Sequence, residues 1–152
     1  VPNMTQEEQH VWTNVDLEAN KDVVRDYYTA SKDGDPTRFI PHLHPDFFAI
    51  APSYVPLGGK RHTVRSFQDE VIPLLARMLD FSRFEYESLI AEGDQVCALV
   101  RIGIANTADT VLISEHWTVR DGKALSLLVI FFEPQKLLDS IHVAHALTTF
   151  GS

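Results

Sequence analysis

Between residues 83 and 133 three turn signals, "EGDQ", "NTAD" and "RDGK", cut the sequence into four runs of roughly ten residues, 83–92, 95–105, 110–120 and 124–133. Apolar side chains dominate the runs, and Gly, Asn and Asp at the breaks suit tight turns between strands. Strands joined by so few residues must pair with their neighbours in antiparallel fashion. A meander of this length leaves few architectures open, because its apolar face needs a cover that the strands themselves do not supply.

The residues ahead of the meander offer that cover. Val23, Val24, Tyr27, Tyr28 and Ser31 follow the spacing of one helical face, so a helix is expected from Lys21 to Asp33, with Asn20 as its N-cap and Gly34 as its stop. Asp35 and Pro36 restart a short helix through Leu43. "DFFAIA", 46–51, reads as a strand, and "PSYVPLGGK" as a loop. Val64, Phe67, Val71, Leu74, Leu75 and Met78 mark a third helix, which Pro73 should kink. Glu133 and Pro134 open a last helical stretch through Leu137, Leu138 and Ile141. Residues 1–19 form a polar extension in which "TQEE" is a possible capping box for a short helix. Helices first and a meander second predict one α+β domain over residues 20–152 with an antiparallel sheet.

A chain of 152 residues with net charge −8 and scattered Lys and Arg would be repelled by a phosphate backbone, so nucleic acid is not an expected partner. The longest apolar run, "ALSLLVIFF", is too short to cross a membrane and the first residues lack the pattern of a secretion signal, which predicts a cytoplasmic protein without membrane contact. Cys97 is the only cysteine and is expected in the core. His42 and His44 in "PHLHP" lack a third placed ligand, so no metal is expected.

Glu115 breaks the pattern. In "SEHWTVRDGKALSLLVIFFEP" it shares a strand face with Val111, Ile113, Trp117 and Val119, which is the wrong face for a surface charge. Two registers are open. If the preceding turn centres on Ala108, Arg101 stands opposite Glu115 and pairs with it; a slip of one residue instead surrounds the carboxyl with Val96, Ala98, Val100, Ile102 and Ile104. The second matches apolar with apolar and is preferred. A carboxyl so placed resists ionisation and can donate a proton near neutral pH. The final strand is apolar on both faces, with Leu125, Leu127, Val129 and Phe131 on one and Leu128, Ile130 and Phe132 on the other, which predicts a homodimer through the outer face.

The motifs "YYTASKDGD", "VPLGGKRHTVRSFQ", "LIAEGDQV" and "HWTVRDGKALSLLVIFFEPQKLL", in this order over about residues 20–141, resemble the nuclear transport factor two-like superfamily, and within it the SnoaL-like and ketosteroid isomerase-like proteins. The resemblance implies a cone in which a curved sheet wraps the N-terminal helices around a deep apolar pocket, with dimerisation commonly through the sheet's outer face. Ketosteroid isomerases bind a developing oxyanion with a helix tyrosine and an un-ionised acid on a late strand. Tyr27 and Glu115 fall at those positions. The isomerase base would fall near Ala51, which cannot move a proton. SnoaL-like cyclases imply an acid near the end of the last strand, where Glu133 stands, although Glu133 equally suits a helix N-cap. Trp117, Tyr54, Phe131 and His44 are the candidate substrate contacts. The expected protein is a small enzyme that needs no cofactor and acts on a hydrophobic, carbonyl-bearing metabolite by isomerisation, cyclisation or elimination. Two alternatives stay open: epoxide hydrolysis by a carboxylate and arginine cluster, which needs Arg101 beside Glu115, and a small-molecule-binding domain without chemistry.

Overall fold

The structure, a computed structural model, describes residues 11–150, with side chains through Ala144. The "TQEE" capping box lies outside the described residues. Helix α1 runs Asn14–Lys32, longer at its start than the periodicity suggests, because Thr13 and Asp16 form a reciprocal capping box seven residues upstream of Asn20. Asn20 is inside the helix and donates to the Gly93 carbonyl, tying α1 to a strand turn. At the other end Gly34, at φ 76°, lets Asp35 N–H reach Ala30 O and Gly34 N–H reach Ser31 O, a closure that satisfies the last helical carbonyls.

A 3-10 turn, Pro36–His42, leads into β1, Leu43–Ile50, and a short β2, His62–Thr63. Helix α2, Val64–Ser66, passes through a π turn, Phe67–Val71, into α3, Ile72–Met78. The irregularity expected of Pro73 is met by that π turn: Ile72 N–H bonds to Phe67 O, five residues back, beside a residue with no N–H of its own. The meander follows as β3, Leu79–Glu92, β4, Gln95–Ile104, β5, Thr110–Arg120, and β6, Lys123–Phe132, and α4, Gln135–Phe150, ends the description.

The strands form one six-stranded sheet in the order β2-β1-β6-β5-β4-β3. The sheet is curved and unclosed, and α1 packs into its concavity through Val24, Tyr27, Tyr28 and Ser31. One pairing departs from the expected antiparallel sheet: β1 runs parallel to β6, so the sheet is mixed. A second departure is local. Thr118 pairs with Ser126 but Val119 with Ala124, so a bulge at Leu125 shifts the face of the residues before it, and Ala124 takes the core position expected for Leu125. The tight turn at Asp121 and Gly122, with φ 53° and 72°, gives the hairpin the twist its strands need.

Candidate active site

The register of β4 on β5 decides what surrounds Glu115. Ala98 stands opposite it, with Val100 opposite Ile113 and Val96 opposite Trp117, so apolar meets apolar. The turn is centred nearer Asn106, which takes φ 63°, than Ala108. Arg101 faces Leu112 and points to the outer face, where its Nε donates to Glu87 Oε1 at 3.2 Å. The Arg101–Glu115 pair that the epoxide hydrolase alternative needs is therefore absent.

Glu115 is 4% exposed. Burial pushes its pKa up to about 7, and a hydrogen bond from Tyr28 limits the rise. The direct partner is Tyr28; Tyr27, at the position the resemblance gives the oxyanion tyrosine, lines the same cavity as Glu115 and hydrogen-bonds with Ser31 one turn along the helix. The two tyrosines are neighbours on α1, both in its buried stripe, with rings 5.0 Å apart and edge to face. Both hydroxyls are held well above the usual range, first by burial and then by the Glu115 charge.

Trp117 completes the arrangement. Its Nε1–H donates to Tyr28 Oη at 3.2 Å, which occupies that oxygen as acceptor and leaves the phenol hydrogen for Glu115. The ring is fully buried against Tyr27 and Phe39, so Trp117 positions the hydroxyl and does not line the cavity as expected of a substrate contact. One spacing accounts for the pair: Glu115 and Trp117 are two residues apart on one strand and share a face.

The carboxyl opens on a cavity of about 660 Å³, its mouth included. The part of it that can take the centre of a water-sized molecule is only about 60 Å³, small beside the usual small-molecule site. Its walls are almost wholly apolar: Ile102, Ile113, Leu127, Val129 and Phe131 from the sheet, Phe67, Leu74 and Met78 from the helical segment, and Tyr27 from α1. Phe131 is thus a wall residue. A strap of residues 51–59 closes one side with Val55, Pro56 and Leu57. Gly59 N–H bonds to Ala51 O and Gly58 N–H to Val55 O, and a Cβ on Gly58 would come within 1.8 Å of Pro52 O, so this fold of the strap admits no side chain there.

Three other candidates lie away from the cavity. Tyr54 is on the outside of the strap and half exposed. His44 accepts from Asp46 N–H at 3.0 Å, at the start of β1. Glu133 is exposed at φ 50° after β6, so it neither lines the cavity nor caps α4, whose first turn instead closes from Leu138 N–H to Pro134 O. Cys97 is half-buried on the outer face, not in the core. One residue that the sequence did not single out is in the wall: His62, 4% exposed, on β2 opposite Ala49. Nothing in the periodicity around "GKRHTV" marks it. Among the described residues no group of three or more His, Cys, Asp or Glu could hold a metal, and no helix is long and apolar enough to cross a membrane.

The SnoaL-like domain family matches residues 24–127, and the chain belongs to that family. A search of curated proteins finds no match. Among solved structures, an NTF2-like protein from Burkholderia thailandensis E264 is 20% identical with TM-score 0.62, covering 84% of this chain and 96% of that one. TerC, co-crystallized with polyporic acid, is 21% identical with TM-score 0.65, covering 80% and 98%. A de novo designed protein with a curved β-sheet is 19% identical with TM-score 0.64, covering 84% and 97%. The fold is therefore that of the NTF2-like cone. A shared fold does not by itself assign a chemistry.

Proposed function

We propose that this SnoaL-like chain is a small enzyme that binds a flat, apolar, carbonyl-bearing molecule in the cone and protonates or hydrogen-bonds its oxygen through Glu115. The observation that carries the reading is a carboxyl with a pKa near 7, buried in an apolar wall, with one side fixed by Tyr28. A group in that state is half protonated at neutral pH, where general acid catalysis is most effective. Tyr28, already aimed at Glu115 by Trp117, orients the carboxyl so that its proton serves the cavity. Isomerisation, cyclisation and elimination all pass through an enol or enolate that such a donor would stabilise. That TerC was co-crystallized with polyporic acid supports a small-molecule occupant for this kind of cavity.

The test is Glu115→Gln, which keeps shape and hydrogen bonding but removes the acid. With a ketone that the wild-type protein turns over, kcat should fall about a hundredfold or more, with the protein still folded. Unchanged turnover removes the assignment. Ala51, at the mouth of the cavity where an isomerase would carry its base, favours a second reading, a binding domain without turnover. Tight binding of such a ketone with no reaction selects it.

The same reading includes a second copy of the chain on the outer sheet face, where Ile90, Leu128, Ile130 and Phe132 are each 46% exposed or more. Covering these apolar side chains would favour association. Light scattering at micromolar concentration should give a dimer, and Ile130→Asp should give a monomer.

A further inference from the structure

His62 has a hydrogen-bond arrangement that fixes more than its position. Its Nε2 lies 2.6 Å from the Leu57 carbonyl, which can only accept, so Nε2 carries a hydrogen. Its Nδ1 lies 2.6 Å from Ser66 Oγ, and that hydroxyl donates to Glu70 Oε2 at 2.8 Å. A serine has one hydrogen to give. With it directed at Glu70, Ser66 Oγ is left as acceptor towards Nδ1, so Nδ1 carries a hydrogen as well. Both ring nitrogens are then donors, and a histidine with two N–H groups is a cation.

The count has one other solution, a neutral His62 that accepts from Ser66 while a protonated Glu70 donates to Ser66. Burying a charged ring is costly, but acceptors meet both of its N–H groups, and the exposure of Glu70 decides between the two solutions. Glu70 is exposed on the outer side of the π turn, and a solvated carboxylate is ionised at neutral pH. The other charged groups of this segment do not intervene: Arg61 lies over the Phe48 ring at 4.1 Å, and Arg65 pairs with Asp69 at 3.7 Å with both side chains exposed.

The two ends of the chain of bonds meet different surroundings. The Glu70 charge is in water and screened, whereas the His62 ring is buried in an apolar wall, where a charge acts at longer range. His62 and Glu115 sit on strands β2 and β5, separated by β1 and β6 in the same curved sheet, so they occupy different parts of the cavity lining. A ligand between them would meet a proton donor at one end and a positive ring at the other.

We propose that His62 stands in the cavity wall as an imidazolium and selects flat apolar molecules that carry a negative charge, a carboxylate or an enolate, over neutral molecules of the same shape. The inference rests on the cavity being a ligand site, as proposed above, and names the charge class of its occupant. Because both N–H groups are engaged by Leu57 and Ser66, His62 acts through its field and not by direct hydrogen bonding. Leu57 belongs to the strap, so the same residue that charges the wall also fastens the strap over the cavity. Ser66 and Glu70 are positioning residues.

The test uses naphthoate and naphthamide, which share a shape and differ in charge. Binding is measured by calorimetry in the Glu115→Gln protein at about pH 7.5, where a histidine without such partners is neutral; the Glu115 charge is then out of the comparison. Naphthoate should bind about tenfold tighter than naphthamide. Adding Glu70→Gln, a surface change that frees the serine hydrogen for His62, should abolish the difference. In parallel, nitrogen NMR of the wild-type protein should show both His62 ring nitrogens protonated at the same pH. An unprotonated His62 nitrogen, equal binding of the two probes, or a preference that survives Glu70→Gln would overturn the proposal, and so would failure of both probes to bind. None of these readings uses turnover, so loss of the catalytic assignment of Glu115 would leave them distinguishable.

Discussion

On the concave face of β5, Glu115 is buried, receives one hydrogen bond from a tyrosine that is itself held by a tryptophan, and has a pKa near 7. One residue further along, on the convex face, His116 stands exposed 3.0 Å from Ser114, with Cys97 at 3.9 Å, and Arg101 meets Glu87 with both side chains about two-fifths exposed. Both faces place polar groups among apolar ones. They differ in water. On the wet face ionisation costs little and partners are interchangeable, while on the dry face the protonation state depends on burial and on one defined donor. A polar residue therefore carries functional information here according to its face.

The two faces should differ most in how stability depends on pH. A carboxyl whose native pKa is near 7 and whose unfolded pKa is about 4.5 costs no stability below pH 4.5, where it is protonated in both the folded and the unfolded state; between 4.5 and 7 the unfolded state ionises first, so stability is lost as pH rises through that window. The wild-type protein should lose on the order of 3 kcal/mol relative to Glu115→Gln across that window. Denaturant melts of both proteins at several pH values would measure it, and parallel curves would place Glu115 with the wet-face groups.

A smaller effect separates the two tyrosines. Tyr28→Phe removes the donor to Glu115 and strands the Trp117 N–H, so it should cost about 1–3 kcal/mol and raise the Glu115 pKa above its present value. Tyr27→Phe loses only the bond with Ser31 and should leave the Glu115 titration nearly unmoved. Equal effects of the two changes would contradict the relay. The smallest effect belongs to the convex face: Arg101→Ala should cost no more than about 1 kcal/mol, since its partner is exposed. Thermal melts would resolve the difference.

The meander was legible in the sequence because Gly and Asn turns and two-residue alternation are local signals. So was the face of Glu115, since a strand alternates whatever its partner. The start of α1 is not legible, because Asn20 lies on a polar stretch that looks like a cap, while the true box at Thr13 and Asp16 precedes residues with little apolar pattern. Whether Tyr27 or Tyr28 reaches Glu115 depends on the rotation of α1 against the sheet, which neighbouring positions of one stripe do not reveal. The parallel pairing of β1 and the bulge at Leu125 depend on distant partners, and His62 acquires its role only when the strap and the π turn fold on either side of it.

Burial keeps the Glu115 carboxyl protonated to near neutral pH. Carbon NMR of the side-chain carboxyl, assigned by comparison with Glu115→Gln, follows that titration directly. The midpoint should fall at about pH 7 and move upward in Tyr28→Phe. A midpoint near 4.5, unmoved by that change, would contradict it.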